Sequence, residues 1–197
     1  MFCIINMLLI MKSSIAIIVS NKCEEMEVII PVDIWRRAGL VVQLISIEKK
    51  KSLILQNGLH IACDDILFKE NLSKYSAIYL PGGKGCVDFI DQTICAKLIN
   101  HLKKNTNGRL LIMANCAAPT ILNKLGLIDN IKVTCYPCYE LGLPHYDNKD
   151  VVICKNFITS KAAGTTIDFA LAVVKKLLSP SKAKEVAKQI CYRYFKS

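Results

Sequence analysis

Short apolar runs alternate along this chain with amphipathic stretches. The runs are rich in β-branched residues, as in SIAIIV at residues 14–19, which is the pattern of strands buried on both faces of a parallel sheet. The amphipathic stretches begin with helix-capping residues and end near Lys, Arg or Gly, as helices do. We predict strands at residues 14–19, 40–45, 77–80, 110–114, 131–135, 151–154 and 157–159, and helices at about 24–37, 91–104, 117–125, 165–178 and 180–195.

This alternation predicts an α/β fold. Successive strand–helix units pack as a mostly parallel sheet with helices on both faces, because parallel crossovers are right-handed and need a covering helix. Asn57-Gly58 interrupts the alternation and predicts a β-hairpin or excursion over residues 53–62. Pro31 falls within the first helix, where it should cause a kink.

The domain organisation follows from length and from the first eleven residues. MFCIINMLLIM is apolar, but it lacks the basic front and small-residue cleavage site of a signal peptide. Lys12 interrupts the run before the roughly 20 apolar residues that a membrane span needs. Met11 offers an alternative start. We therefore interpret residues 1–11 as an N-terminal extension and residues 12–197 as one domain, and we expect no membrane segment.

The net charge of +10 raises a polyanion as a partner. Much of the excess follows residue 174, where seven Lys and Arg residues accompany a single acidic residue, Glu185. No RNA-binding signature accompanies this charge, so we favour a solvated helix face. Binding of nucleic acid by the basic C-terminal helix is the alternative.

Ten cysteines are scattered through the chain without an export signal. This usage favours free thiols in a reducing, cytoplasmic setting over a disulfide framework. Three of the cysteines, Cys95, Cys154 and Cys191, occur in apolar surroundings, and we expect them to be small core residues.

Three loops should meet at the carboxyl edge of the sheet, where reactive groups gather in such folds. They are residues 22–27, 81–85 and 115–119. Cys116 follows a buried strand and precedes a helix, and free N–H groups and the dipole at a helix N-terminus lower a thiol pKa. This placement alone fits a reactive thiol and a small buried cysteine equally well.

The other two loops supply groups that suit a nucleophile. Glu24 and Glu25 are expected to cap the first helix, whereas Glu27 lies a turn further in and is free to serve Cys116 as hydrogen-bond donor or general base. Gly82-Gly83 permits close backbone approach, and an N–H there suits an oxyanion. The segment is not a P-loop, so nucleotide binding has little support.

Cys135-Tyr136-Pro137-Cys138 is the only C-x-x-C segment. Its spacing suits dithiol exchange or metal binding. The three histidines, His60, His101 and His145, supply no second ligand pair at a recognisable interval, so we predict no metal site. Dithiol exchange stays open, with Pro137 opening a short helix.

Three segments, in this order and spacing, closely resemble the DJ-1 branch of the ThiJ/PfpI superfamily. They are KCEEMEVIIPVDIWRRAG (22–39), YLPGG (79–83) and NCAAPT (115–120). TSKAAGT (159–165), followed by a helix, is similar to that branch's T-S-R-x-x-G-T segment. The resemblance extends from about Lys12 to the last helix.

The resemblance implies a flavodoxin-like sandwich that forms homodimers and needs no cofactor. It assigns Cys116 as a nucleophilic, oxidation-sensitive cysteine and Glu27 as the carboxyl group hydrogen-bonded to it. The backbone N–H groups of Gly83 and Ala117 would form an oxyanion pocket. Activities in the family include conversion of methylglyoxal to lactate without glutathione, protein deglycation, and redox-dependent chaperone or sensor roles.

Several positions depart from the family pattern. Tyr136 stands where close relatives have a histidine assigned to proton transfer, and a tyrosine, with an unperturbed pKa of about 10, is a weak base near neutral pH. Lys161 replaces a pocket arginine and loses its bidentate fork, and Ala118 replaces a glycine. Cys135 and Cys138 bring extra thiols beside Tyr136.

Two hypotheses follow. The first is a cysteine-dependent glyoxalase or deglycase acting on small dicarbonyls such as methylglyoxal. The second is a redox sensor or redox-regulated chaperone that uses oxidation of Cys116, which the missing histidine and the nearby C-x-x-C favour.

Overall fold

The computed structural model describes residues 13–193, so the N-terminal extension predicted at residues 1–11 lies outside the described residues. Nine strands and five α-helices alternate along this part of the chain. The strands are β1 (Ser14–Val19), β2 (Val41–Ser46), β3 (Ser52–Ile54), β4 (His60–Ala62), β5 (Asp65–Ile66), β6 (Ala77–Leu80), β7 (Leu111–Asn115), β8 (Val151–Cys154) and β9 (Phe157–Ser160). The helices are α1 (Glu25–Arg37), α2 (Gln92–Lys103), α3 (Ala118–Lys124), α4 (Thr166–Leu177) and α5 (Pro180–Gln189).

Seven of the strands form one sheet in the order β5-β2-β1-β6-β7-β9-β8. Every neighbouring pair is parallel except β8 with β9, and β3 and β4 form a separate antiparallel hairpin. The chain moves from β1 to β2 in one direction and from β6 to β7 in the other, so right-handed crossovers place α1 and α2 on opposite faces. The predicted α/β fold is confirmed.

The strand order reverses between β1 and β6, and this reversal places the candidate loops. The carboxyl ends of β1, β6 and β7 are neighbours, so the loops that follow Val19, Leu80 and Asn115 lie side by side. Ligands in open α/β sheets bind in the crevice at such a reversal. The three loops singled out from the sequence therefore meet at one end of the sheet.

Helix α1 continues through Pro31, which is buried. Proline has no N–H, so the carbonyl four residues earlier, that of Glu27, loses its helical donor. The hydroxyl of the buried Tyr79 on β6 donates to this Glu27 carbonyl at 3.0 Å. The sheet thereby satisfies the backbone group that the proline leaves unpaired.

Trp35 packs the C-terminal end of α1 against the core. Its side chain is completely buried, its Nε1–H donates to the carbonyl of Ala170 on α4 at 3.0 Å, and its ring lies 5.5 Å from Tyr79 and 6.1 Å from Phe169. One residue thus joins α1, α4 and β6.

The predicted strand at residues 131–135 is wrong. Val133 makes only an isolated bridge with Tyr146, and the N–H of Thr134 donates to the side chain of Thr159 at 2.9 Å. The apolar residues of the segment are buried, as a strand's would be, but β9 already occupies the position beside β7. The segment is therefore extended without joining the sheet.

Three smaller expectations also change. Cys95 is buried as predicted, but Cys154 is half-buried on the edge strand β8, and Cys191 is exposed in the turn after α5. That turn ends α5 at Gln189, earlier than predicted. The lysines of α4 and α5 point to solvent or are half-buried, and Lys182 pairs with Glu185, so nucleic-acid binding there stays a prediction.

None of the helices in residues 13–193 has the length and apolar character needed to cross a membrane.

Replacing Trp35 with Phe should lower the free energy of unfolding by about 2 to 3 kcal/mol, because it removes buried ring area and leaves a carbonyl with one donor fewer. Urea denaturation measures the loss. Phe68, whose side chain is 87% exposed, offers a control, because Phe68→Leu should change stability by less than about 0.5 kcal/mol. Equal effects of the two substitutions would contradict the role assigned to Trp35.

Candidate active site

Cys116 occupies the sharp turn between β7 and α3. Its φ of 57° lies in the left-handed region, which is strained for a residue with a side chain. Two acceptors hold its N–H, namely the Asn115 side-chain oxygen at 2.8 Å and the Ser160 carbonyl at 3.0 Å. The Asn115 amide in turn donates to Thr166 at 3.1 Å, so buried polar groups fix the strained turn. This geometry is that of a nucleophile elbow.

Glu27, in the first turn of α1, is completely buried beside this elbow. Its Oε2 accepts a 2.7 Å hydrogen bond from the N–H of Gly82. Its Oε1 is buried and makes no hydrogen bond of normal geometry within residues 13–193. The two reactive side chains converge on Gly82, where a Cβ would lie 2.6 Å from the Cys116 Cβ and 2.8 Å from Glu27 Oε2. Only glycine fits there.

The two groups control each other's protonation. Burial raises the pKa of Glu27 from 4.5 to about 7, against the lowering effect of the Gly82 N–H. Burial and then the Glu27 carboxylate raise the pKa of Cys116 to about 12. The prediction of a lowered thiol pKa is therefore wrong, because burial first, and the Glu27 carboxylate second, outweigh the lowering effect of the Gly83 and Ala117 N–H groups. Near neutral pH the arrangement is a thiol facing a carboxyl that is ready to take its proton.

Two backbone N–H groups approach the sulfur. Those of Gly83 and Ala117 are hydrogen-bonded to the Cys116 side chain and favour its charged form. Gly83 has a φ of +84°, and a Cβ there would lie 2.4 Å from the Glu24 backbone nitrogen. The Gly83 donor comes from the loop after β6, and the Ala117 donor comes from the start of α3. The two donors suit an oxyanion that forms on an atom bonded to the sulfur.

A cavity of about 710 Å³ opens over the sulfur. Five of the predicted site residues line it: Glu27, Gly83, Cys116, Ala117 and Tyr136. Glu24 also lines it, and its carboxylate caps α1 by accepting from the Glu27 N–H at 2.9 Å, as the sequence suggested. The cavity is large enough for a small carbonyl compound and its hydration water.

Lys161, predicted as a pocket residue, does not line the cavity. Its ammonium pairs with Asp150 at 3.2 Å, and its N–H donates to the Asp150 carbonyl at 3.0 Å. The β8–β9 hairpin brings Asp150 opposite Lys161, and the ion pair holds the lysine away from the cavity. Ala118 is the first residue of α3 and is completely buried, so the family's glycine position is an ordinary helical one here.

The C-x-x-C segment does not form a helix start. Residues 136–138 form a turn, and Tyr136, 44% exposed, donates its N–H to the Cys116 carbonyl at 2.9 Å. The expectation that Pro137 opens a helix is wrong, because the segment is anchored by this bond to the elbow instead. No group of three or more His, Cys, Asp or Glu side chains within residues 13–193 is arranged to hold a metal ion.

The roles of three residues were not predicted from the sequence. Gly82 binds Glu27, Asn115 holds the elbow, and Tyr79 holds the Glu27 carbonyl. The Pro31 position was a usable signal for Tyr79, since it implies an unpaired carbonyl at residue 27. No sequence signal marked the role of Asn115, whose amide donates to Thr166 on α4 and whose side-chain oxygen accepts from Cys116.

The fold and site together define an α/β protein with a cysteine at a strained strand–helix turn and a buried carboxyl group beside it. Residues 13–176 match the DJ-1/PfpI family, and the chain belongs to that family.

Named relatives agree with this assignment. The chain is 32% identical over 188 residues to Protein dj-1beta of Drosophila melanogaster, covering 93% of this chain and 100% of that protein. It is 32% identical over 185 residues to Glutathione-independent glyoxalase DJR-1.2 of Caenorhabditis elegans, covering 91% and 96%. It superposes on the structure of oxidized DJ-1 from Toxoplasma gondii with a TM-score of 0.85 at 28% identity, covering 92% and 100%. The flavodoxin-like architecture expected from the sequence is shared with this structure.

Glu27 should make stability depend on pH. Its folded pKa, about 7, lies above its ordinary 4.5, so its contribution is fully present below pH 4.5 and is lost as pH rises through about 7. Relative to Glu27→Gln, the wild-type protein should lose about 3 kcal/mol of unfolding free energy over this range, at about 1.4 kcal/mol per unit of pKa. Chemical denaturation at a series of pH values measures the difference between the two curves.

Glu25→Gln is the matched control. Glu25 is hydrogen-bonded to Asn57, and this bond contributes to lowering the pKa of Glu25. The effect of Glu25 on the pH dependence of stability is therefore confined to pH values below 4.5. Its curve should run parallel to that of the wild type above that pH. A parallel curve for Glu27→Gln would contradict the raised pKa.

Proposed function

We propose that this protein is a cysteine-dependent, glutathione-independent glyoxalase or deglycase that acts on small dicarbonyls such as methylglyoxal. The observation that carries the proposal is the convergence of the Cys116 thiol and the Glu27 carboxyl on Gly82, beneath an open cavity. The similarity to a Caenorhabditis elegans protein named as a glutathione-independent glyoxalase supports the same chemistry.

The first step is attack of sulfur on the aldehyde carbon. Glu27 takes the thiol proton as the S–C bond forms, and its pKa of about 7 suits a base that works near neutral pH. The carbonyl π electrons move to oxygen, and the N–H groups of Gly83 and Ala117 stabilise the resulting oxyanion. Protonation of this oxygen gives a hemithioacetal.

The second step is an internal oxidation and reduction of the bound substrate. A proton leaves the former aldehyde carbon and is returned to the neighbouring ketone carbon, while the hydroxyl proton of the hemithioacetal moves to the ketone oxygen. These two transfers convert the hemithioacetal into a lactoyl thioester. Water then cleaves the S–C bond, releases lactate and restores the thiol. The overall change is methylglyoxal plus water to lactate, so no redox cofactor is consumed. Glu27 is the side chain proposed to carry the proton in both steps.

Tyr136 sets the expected speed of this reaction. It lines the cavity where close relatives of the family have a histidine, and its ring is 6.1 Å from that of Tyr139. A tyrosine donates a hydrogen bond but accepts a proton poorly near neutral pH. We therefore expect turnover to be slow, with Glu27 as the base that serves Cys116.

Two further proposals concern the setting of the protein. We infer that it forms a homodimer, from its resemblance to the family. A cytoplasmic location is supported by the cysteines of residues 13–193, all of which are free.

A second candidate function is a redox sensor or redox-regulated chaperone that responds to oxidation of Cys116. The half-buried sulfur lies beside the buried Glu27 carboxyl group and interacts with it, a position suited to bind an oxidised sulfur's hydroxyl group. This candidate requires no turnover of a dicarbonyl.

Cys116→Ser should reduce lactate formation from methylglyoxal by at least about 100-fold, because the serine hydroxyl is a far weaker nucleophile and Glu27 alone cannot form the covalent intermediate. The assay measures lactate without added glutathione. Wild-type turnover should rise as pH increases through about 7, where Glu27 ionises. Equal lactate formation by wild type and variant would contradict the enzyme proposal and favour the sensor.

Tyr136→His should raise kcat in the same assay by about tenfold or more, because it restores a base beside the sulfur. Tyr139→His is the matched control, since Tyr139 lines the same cavity but does not bond to the elbow. If neither histidine changes kcat, the missing base does not limit the reaction.

A further inference from the structure

The two cysteines of the C-x-x-C segment lie in different environments. Cys135 is completely buried, and its thiol donates a hydrogen bond to the Tyr136 carbonyl at 3.3 Å. Cys138 is exposed and lines the cavity that contains Cys116, whereas Cys135 does not line it. The segment is therefore poorly arranged for a disulfide between its own cysteines. Cys138 instead shares a cavity with Cys116.

The turn that carries Cys138 is attached to the nucleophile's own backbone. The N–H of Tyr136 donates to the Cys116 carbonyl at 2.9 Å, and the N–H of Tyr139 donates to the Tyr136 carbonyl at 3.2 Å, which closes the turn. Cys138 lies within it at a φ of +75°, a strained value for a residue with a side chain. All four residues from 136 to 139 are exposed, so the turn can shift toward Cys116 with little loss of packing.

A third cysteine, Cys86, also lines the cavity. It is only 1% exposed, so it is tightly packed where it stands. It also sits within the 3₁₀ helix Lys84–Ile90, where its N–H donates to the Gly83 carbonyl at 3.2 Å. Moving it toward Cys116 would disturb the loop that holds Glu27. Cys138, in contrast, is exposed and lies in a turn outside that helix.

We propose that Cys138 is the resolving cysteine of Cys116, and that hydrogen peroxide or an alkyl hydroperoxide drives an intramolecular Cys116–Cys138 disulfide. This proposal rests on the nucleophilic Cys116 of the proposed function. In the first step the Cys116 sulfur attacks the peroxide, so the O–O bond breaks, an S–O bond forms and the alcohol or water leaves with one proton. In the second step the Cys138 sulfur attacks Cys116, so the S–S bond forms, the S–O bond breaks and the hydroxyl group leaves as water.

The balance is two thiols and one peroxide to one disulfide, one alcohol or water, and one further water. The peroxide is reduced by two electrons and the two sulfurs together supply them. The disulfide occupies Cys116 and intercepts the sulfenic acid before a second peroxide can convert it irreversibly to sulfinic acid. A dithiol reductant restores both thiols, so the modification is reversible.

The test is a peptide map of the full-length protein after mild hydrogen peroxide, with free thiols alkylated and reductant omitted. Trypsin releases residues 110–124 with Cys116 as their only cysteine, residues 133–149 with Cys135 and Cys138, and residues 85–97 with Cys86 and Cys95. We expect residues 110–124 linked to 133–149 and an intact mass lower by about 2 Da, both reversed by dithiothreitol.

Three variants decide which thiols are joined. Cys138→Ser should abolish the link and give instead a gain of about 32 Da on residues 110–124, the mass of a sulfinic acid. Cys135→Ala should keep the link. Cys116→Ser should show no loss of about 2 Da, because the remaining segment does not pair with itself. Each variant is compared with the wild type by circular dichroism to establish that it is folded.

Several results would overturn the inference. They are a link that survives Cys138→Ser, a link that is lost in Cys135→Ala, a link between residues 110–124 and 85–97, or wild-type Cys116 that only gains oxygen. The readout is independent of methylglyoxal. Lactate formation without the link refutes this inference alone, whereas the link without lactate formation refutes the glyoxalase proposal alone.

Discussion

The hydrogen bond from the Gly82 N–H to the Glu27 carboxyl is the contact on which the site depends. It buries a carboxyl completely between α1 and the loop after β6, with no cationic side chain bonded to it in the described chain. An unpaired buried carboxylate is costly, so the fold raises the pKa of Glu27 to about 7 instead. The burial that makes an ionised Glu27 costly is therefore also what makes Glu27 a base near neutral pH.

The position of Glu27 is fixed from both ends of the residue. Its carboxyl binds Gly82 after β6, and its backbone carbonyl, which Pro31 deprives of a helical partner, binds Tyr79 on β6. Both partners come from one strand and its loop, so α1 cannot rotate without breaking two buried hydrogen bonds. The proline that would ordinarily weaken a helix here creates an acceptor, and that acceptor ties the helix to the central strand.

Sequence patterns predicted correctly those features of the fold that depend on the local sequence alone. The strands Ser14–Val19 and Ala77–Leu80 were placed correctly, and so was Cys116 at the turn after a buried strand. The strand at 131–135 was wrong because apolar alternation reports burial and not the availability of a sheet edge. The predicted shift in the pKa of Cys116 was wrong in direction, because that pKa depends first on the burial of the sulfur and then on the Glu27 carboxylate of α1. Lys161 was misplaced because its partner, Asp150, belongs to the hairpin that precedes it.

Two of the positions at which this chain departs from its family pattern lie in the turn at residues 136–139. It carries a tyrosine in place of a base and an added thiol at Cys138, and its first N–H is bonded to the carbonyl of the nucleophile. A change of the turn therefore acts on proton transfer and on oxidation together, because Tyr136 and Cys138 move as one short segment. The disulfide proposed for Cys138 would draw this segment toward Cys116. Under the two proposals, loss of the base would slow turnover at Cys116, and gain of the thiol would protect Cys116 when it is oxidised.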